Sequence, residues 1–449
     1  MGRLFGTDGI RGVANQYPMT PEMALKVGRA LGHHFGKSGR SAILIGRDTR
    51  ISGQMIESGI AAGCCSMGID VTLAGVIPTP GVAYLAKVLE AAAGVVVSAS
   101  HNPYFDNGIK VFDGQGFKLS DGMENALEAT LLDDDLAAAA GAIRNTGRIS
   151  GLEAGGHQYQ QFLARCFPTD CRLDNLKIVL DCANGATSYL APSLFSELGA
   201  DVCALYVEPD GKNINAGCGS QHPQGLAEKV TATGANIGLA FDGDGDRLIA
   251  VDETGAVLTG DQVLAICARY LKRQGRLNNN VVVSTVMSNM GLGESLQKEG
   301  IKNVVTGVGD RYVMEEMHRQ GAVLGGEDSG HTVFLNHQTT GDGMLTALQL
   351  LEIMQTDNTP LSKLRTIMTV FPQVLVNVNV TSKPPLESLP DVVAAIRGVE
   401  QKLDGKGRVL VRYSGTQPQC RVMVEGPNTK DTNLFCNKIA MVIKEIIGS

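Results

Sequence analysis

None of the ten cysteines falls in a Cys-x-x-Cys pair or a zinc-ligand spacing, which excludes the common zinc modules. Several stand inside apolar runs, as Cys203 and Cys267 do, and read as small buried hydrophobes kept reduced in a cytosol. The N-terminus has no apolar signal core, and Gly6 stands where a myristoylated chain would carry Ser or Thr. No apolar run reaches membrane-spanning length. Positive charge is in short supply, with 39 Lys and Arg against 46 Asp and Glu and a net charge of −7. That balance argues against nucleic acid and membrane as partners, and requires any anionic substrate to meet a locally basic cleft. The expected location is the cytoplasm.

What is present is an ordinary globular composition, 43% hydrophobic and 19% charged over 449 residues. The length suffices for about three or four domains, each with its own core. The 55 glycines suit a chain rich in strand-to-loop switches and in close backbone approach to ligands.

The densest chemistry lies at residues 242–247, Asp-Gly-Asp-Gly-Asp-Arg. Asp242, Asp244 and Asp246 alternate with residues lacking bulk, so their carboxylates can converge on one hard cation. Mg²⁺ suits such oxygen ligands and usually works beside phosphate. Arg247 adds a fork for phosphate or carboxylate. A calcium loop is the rival, because Glu253 stands at the twelfth position. Against it, an EF-hand needs Gly at the sixth position, where Arg247 stands, and helices on both sides. Here 236–241 and 248–251 read as strands. A solvated acidic turn is the other reading.

Three apolar strands, 41–45, 177–180 and 281–283, each open a strand, loop and helix-like series. A second strand follows and runs into a loop dense in polar residues: 98–103, 242–247 and 325–331. Strands alternating with helices predict an α/β fold of three related domains with mixed or parallel sheets, whose ligand loops gather at strand ends. The expected segments are 1–150, 151–252, 253–368 and 369–449. The alanine-rich stretch 132–140 reads as a helix end. The last segment differs, with strands at 377–380, 408–411 and 421–424 and a helix over 388–403. It is expected to be a smaller α+β domain with a phosphate-type loop, Ser414-Gly415-Thr416, between Arg412 and Arg421.

Ser100 stands in a polar loop after an apolar strand, beside His101 and before Pro103. It is either a nucleophile or a helix cap, and no G-x-S-x-G elbow or hydrolase triad accompanies it. Beside a Mg²⁺ loop it becomes a candidate phosphate carrier. Lys110 could support such a centre, or be a solvated lysine at a strand edge. Arg11 lies between glycines in the stretch 5–12, which suggests a guanidinium turned inward. Glu327, Ser329 and His331 alternate along a Gly-flanked loop and match sugar hydroxyls, the alternative being a turn with an incidental histidine.

The ordered set FGTDGIRG, SASHNP, DGDGDR, GGEDSGH and YSGTQP resembles the α-D-phosphohexomutase superfamily, specifically its bacterial branch acting on amino sugars. The resemblance spans nearly the whole chain. It implies four domains around a central cleft, and a phosphoryl group carried by Ser100. It implies one Mg²⁺ per subunit on Ser100, Asp242, Asp244 and Asp246. Arg11, Lys110 and Arg247 are implied around the transferred phosphate, Asp310 and Arg311 in a substrate loop, Glu327 and Ser329 at the sugar hydroxyls, and His331 in proton transfer. Arg412, Ser414, Gly415, Thr416 and Arg421 would grip the distal phosphate.

The implied reaction converts glucosamine 6-phosphate to glucosamine 1-phosphate, towards UDP-N-acetylglucosamine and the cell wall. Phosphorylation of Ser100 and a glucosamine or glucose 1,6-bisphosphate activator belong to it. The implied partner is a small phosphosugar, with a homodimer left open. The same-class rival is a phosphomannomutase or phosphoglucomutase, and the other-class rival a non-catalytic phosphosugar-binding protein. Two positions depart from the family pattern: Gln417 where Glu is usual, and Asp328 where Gln is common.

Overall fold

The computed structural model describes residues 4–6, 8–36, 42–133, 145–169, 171–414 and 418–448. Residue 41 of the first expected strand, residues 134–140 of the alanine-rich stretch, and Gly415, Thr416 and Gln417 lie outside them. Three α/β sheets and one smaller antiparallel sheet make up the architecture.

The first sheet contains β1 (Ile10–Val13), β2 (Ala42–Arg47), β3 (Asp70–Val76), β4 (Ala93–Val97), β5 (Asp106–Asp113) and β6 (Ile149–Gly151), in the order β1-β5-β4-β2-β3-β6. Strand β2 is central and parallel to both β3 and β4, while β4 turns back into the antiparallel β5. The second sheet contains β7 (Lys177–Asp181), β8 (Asp201–Leu205), β9 (Ile237–Phe241) and β10 (Leu248–Asp252). It repeats that plan: β7 is parallel to β8 and β9, and β9 turns back into β10. The third sheet contains β11 (Val281–Thr285), β12 (Lys302–Thr306), β13 (Leu324–Gly326) and β14 (Thr332–Phe334). There β11 is parallel to β12 and β13, and β13 turns back into β14.

The repeat therefore lies in the topology: a central parallel strand, one neighbour on each side, and a hairpin from the third strand to an antiparallel fourth. Strands β4, β9 and β11 are buried at every position, as strands of sheets covered on both faces are. Helix starts are fixed by side chains. Thr259 forms a reciprocal capping box with Gln262 for the helix Gly260–Arg273, and Asp342 caps Gly343–Thr356 by accepting from the Leu345 N–H. No helix of the described residues is long and apolar enough to cross a membrane.

The chain divides into two compact units, one of residues 1–287 with 300–367, the other of 288–299 with 368–449. In the second, β15 (Gln373–Asn379), β16 (Arg408–Tyr413) and β17 (Gln419–Glu425) form an antiparallel sheet in the order β15-β17-β16. Helices Pro390–Leu403 and Thr429–Ile447 contribute Val392, Val399, Ile439 and Ile443 to its core, with Val422 and Val424 of β17. The expected helix over 388–403 begins at Pro390, after a single 3₁₀ turn at Leu386–Ser388. Proline favours a first helical position because it lacks an N–H.

Candidate active site

The polar hairpins that close the three α/β repeats all belong to the larger unit, and their side chains meet. Ser100, between β4 and β5, is 1% exposed, and its hydroxyl donates to Asp242 Oδ2 at 2.5 Å. Its backbone has φ +52°, a left-handed conformation that costs a non-glycine residue about 1–3 kcal/mol and recurs at functional sites. His101 Nδ1 lies 3.3 Å from the same hydroxyl. Burial lowers the His101 pKa to about 3, assisted by Arg247 and Arg11, so this ring is neutral.

Asp242, Asp244 and Asp246 present carboxylate oxygens within 4.8 Å of one another, and all three are buried. The flanking strands β9 and β10 match the sequence expectation and exclude an EF-hand. The two glycines serve different purposes. A Cβ on Gly243 would lie 2.6 Å from the Ser100 carbonyl oxygen, whereas Gly245 takes φ +71°. Burial raises the Asp242 pKa well above its ordinary value, and the charges of Asp246 and Asp244 add to the effect. Oδ1 of Asp244 and Oδ1 of Asp246 are buried without a hydrogen-bond partner. Crowded hard oxygens without hydrogen bonds fit a Mg²⁺ ion, which takes oxygen ligands and relieves like-charge repulsion.

Lys110 lies within β5, which is paired on both sides by β1 and β4. It is 2% exposed rather than a solvated residue at a strand edge. Its Nζ approaches Asp244 Oδ2 at 2.8 Å, Asp8 Oδ2 at 3.2 Å and Asp246 Oδ2 at 3.5 Å. Burial would lower its pKa, but the surrounding carboxylates, Asp244 foremost, carry it well above the usual value. Lys110 is thus a fixed cation. Arg11 pairs with Asp8, and Arg247 Nε lies 3.7 Å from Asp246 Oδ1. Each arginine keeps a buried Nε without a hydrogen-bond partner.

The third hairpin adds Glu327, Ser329 and His331. Glu327 Oε1 accepts from the Gly309 N–H at 3.1 Å, at the start of the helix Asp310–Gln320. Burial raises the Glu327 pKa, and the buried Ser329 hydroxyl has no partner. His331 Nδ1 faces Asp246 Oδ2 at 3.6 Å, while Nε2 faces Asp310 Oδ2 at 3.7 Å and accepts from the Gly341 N–H at 3.1 Å. Burial lowers the pKa of His331, but Asp246, Asp310 and Glu327 bring it above the ordinary value. Asp310 also receives Lys118, and Arg311 places its terminal nitrogens on Asp121 and Glu124. The Asp328 carbonyl accepts from the Gly260 N–H at 3.0 Å, at the start of the helix Gly260–Arg273, and burial raises the pKa of its carboxyl.

In the smaller unit, Arg412 and Arg421 stand directly opposite each other on β16 and β17. Like charges in that register repel, and each retains a buried Nε without a hydrogen-bond partner. Burial, with Arg421 opposite, lowers the Arg412 pKa. Ser414 follows at the strand end, its carbonyl accepting from Lys383 Nζ at 2.6 Å.

Sequence reasoning missed several contributors. Asp8 stands inside the glycine-rich N-terminal stretch, whose unusual spacing was the available signal. Lys118, which reaches both Asp8 and Asp310, had none. Thr79 opens the helix Thr79–Val88 and donates its hydroxyl to Asp244 Oδ2 at 2.6 Å, a contact across 165 positions that no local pattern announces.

Comparison with known proteins agrees with this geometry. Four family models match in succession: phosphoglucomutase/phosphomannomutase α/β/α domain I over residues 2–138, domain II over 157–255, domain III over 259–371, and the C-terminal domain over 375–442. The chain is 54% identical to a phosphoglucosamine mutase of Syntrophus aciditrophicus, with all of both chains covered. It is 52% identical to that of Bacillus cytotoxicus, again over all of both. A phosphoglucomutase/phosphomannomutase family protein from Burkholderia thailandensis has a similar structure, with TM-score 0.80, 25% identity, and coverage of 99% of this chain and 97% of that one. An N-acetylphosphoglucosamine mutase from Aspergillus fumigatus, solved with GlcNAc-6P and magnesium, shares the fold at TM-score 0.69 and 17% identity, covering 98% of this chain and 95% of that one. The chain therefore belongs to the phosphoglucomutase/phosphomannomutase family of α-D-phosphohexomutases, where it groups with the phosphoglucosamine mutases.

Proposed function

We propose that this isomerase interconverts glucosamine 6-phosphate and glucosamine 1-phosphate through a phosphoryl group carried on Ser100. The observation that carries the reading is the Ser100 hydroxyl lying 2.5 Å from Asp242, at the edge of a converging aspartate triad.

In this mechanism the phosphorylated Ser100 transfers its phosphoryl group to the free sugar hydroxyl. The P–Oγ bond breaks, the new P–O bond forms at the sugar, and the hydroxyl proton passes to His331. The resulting 1,6-bisphosphate turns over in place and returns its other phosphoryl group to Ser100. Phosphoryl transfer asks chiefly for in-line positioning and charge neutralisation. Lys110 provides a permanent cation, and Arg11 and Arg247 bring guanidinium donors to the transferred oxygens. Asp242, Asp244 and Asp246 would hold Mg²⁺ together with Ser100, which would neutralise phosphoryl oxygens when bound.

Glu327 and Ser329 face the sugar hydroxyls in this reading, and His331 holds the proton at that side. Asp310 and Arg311 fix the neighbouring wall, Arg311 through its brace on Asp121 and Glu124. Arg412, Ser414 and Arg421, with Gly415 and Thr416, grip the phosphate at the other end of the sugar. The segments carry separate tasks: 1–150 the phosphoserine, 151–252 the metal ligands, 253–368 sugar recognition and 369–449 the distal phosphate. The protein acts in the cytoplasm on a free phosphosugar, without nucleic acid or membrane, as a monomer or homodimer. A 1,6-bisphosphate of glucosamine or glucose primes Ser100.

A ³¹P NMR time course tests the reading, with Mg²⁺, a trace of glucose 1,6-bisphosphate, and glucosamine 6-phosphate or glucose 6-phosphate in separate samples. Rapid conversion of the glucosamine ester to its 1-phosphate, with little free phosphate, is the expected result. Faster turnover of glucose 6-phosphate would move the chain to the glucose-acting rival. Release of free phosphate alone would overturn the mutase chemistry.

A further inference from the structure

We infer that Arg50 is a positioning residue for Ser100, clamping the carrier loop so that the serine oxygen keeps one direction through both phosphoryl transfers. The inference rests on Ser100 as the phosphoryl carrier.

Arg50 follows β2 and its side chain is 0% exposed. One terminal nitrogen donates to the carbonyls of Ser100 and Asn102, each at 2.8 Å. The other donates to the Pro103 carbonyl and to that of Asp106 at 3.1 Å. Its Nε is held by Asp48 Oδ2 at 2.8 Å. A single planar fork therefore satisfies three carbonyls of the loop joining β4 to β5 and that of Asp106, the first residue of β5.

The peptide groups on both sides of Ser100 are gripped. Its N–H donates to Ser98 Oγ at 2.9 Å, and the Ser98 hydroxyl donates to Asp48 Oδ2 at 2.5 Å. Its carbonyl accepts from Arg50 and also from Asn215 Nδ2 at 2.9 Å. Asn215 extends the same grip to the Asn102 carbonyl at 3.1 Å. These contacts over-determine the left-handed backbone at Ser100, φ +52°, which an unsupported serine would leave for negative φ. The Arg50 nitrogens are all engaged by Asp48 and the loop, so Arg50 acts through the loop rather than on substrate.

The test compares Arg50→Lys, Asn215→Ala and Ser100→Ala by steady-state kinetics, thermal unfolding, and single-turnover transfer from phosphorylated enzyme to sugar phosphate. A lysine cannot reproduce the fork. Misplacement of the carrier by about an ångström should lower kcat and the single-turnover rate about a hundredfold in Arg50→Lys and about tenfold in Asn215→Ala. KM should stay within about threefold, because the sugar-facing residues lie on other loops. Normal kcat in both variants, or a raised KM at unchanged kcat, overturns the clamp. If Arg50→Lys fails to fold, Asn215→Ala decides by the same criteria. Undiminished turnover in Ser100→Ala overturns the carrier reading itself, whereas an inactive Ser100→Ala beside normal clamp variants overturns only this inference.

Discussion

The Ser100 hydroxyl and the Asp242 carboxylate, 142 positions apart in sequence, lie 2.5 Å from each other. This contact joins the loop after β4 to the loop after β9, equivalent places in two repeats of one topology. In phosphorylated protein the serine oxygen can no longer donate, so Asp242 loses that partner and its carboxylate becomes available to a cation. Asp242→Asn removes a negative ligand while keeping nearly the same shape. The expected result is a loss of turnover of about a thousandfold and a clear weakening of Mg²⁺ binding by titration calorimetry. Unchanged Mg²⁺ affinity would remove Asp242 from the metal site.

Lys110 makes a different prediction. Its ammonium is 2% exposed and pairs with an Asp244 that is 1% exposed. Deleting one partner of a buried ion pair commonly costs about 3–5 kcal/mol, because the other charge is left uncompensated. Lys110→Met should therefore unfold at a lower temperature without metal. Mg²⁺ should then raise its midpoint more than it raises that of the unmodified protein, since the cation replaces part of the missing charge. Equal Mg²⁺ shifts in the two proteins would contradict this account.

Much of this arrangement was legible because its chemistry is local in sequence. The alternation of Asp242, Asp244 and Asp246 pointed to a cation site, with a solvated acidic turn as the other reading, and the apolar strands before residues 98, 242 and 325 placed their loops at strand ends. The contacts that hold the loops were not legible. Arg50 and Lys118 look like ordinary surface charges in sequence, and only the strand order brings them under the hairpins. Asp328 illustrates the limit in the opposite direction. It departs from the family pattern inside a motif read as sugar-facing, yet its carbonyl accepts from the Gly260 N–H at 3.0 Å, at the start of the helix Gly260–Arg273.

Asp342 gives stability a pH dependence. Burial pushes its carboxyl up to about 6, despite hydrogen bonds from the Leu345 N–H and the Tyr159 hydroxyl. The native state therefore holds this proton over a range in which the unfolded chain has released it. That contribution is full below the unfolded value of 3.8 and is lost as pH rises through about 6. Between about pH 5 and about pH 7.5 the loss amounts to about 1.4 kcal/mol. Asp342→Asn keeps a good helix cap without the titration. Relative to the unmodified protein, its unfolding free energy should improve by that amount over the same interval in denaturant titrations. A gap independent of pH would refute the assignment.

Arg412 and Arg421 face each other across β16 and β17, where like charges repel, and an anion held between them would offset that repulsion. Replacing one should relieve the repulsion and weaken the anion site together. Arg412→Met is expected to match or exceed the unmodified protein in thermal midpoint when phosphate is absent, and to gain much less from added phosphate. With sugar phosphates its KM should rise about tenfold or more, while kcat falls less, as expected when a grip shared by ground and transition states is removed. The two measurements separate the causes. A lower midpoint without phosphate would show that Arg412 serves the sheet, whereas an unchanged KM would take the pair out of the distal phosphate site.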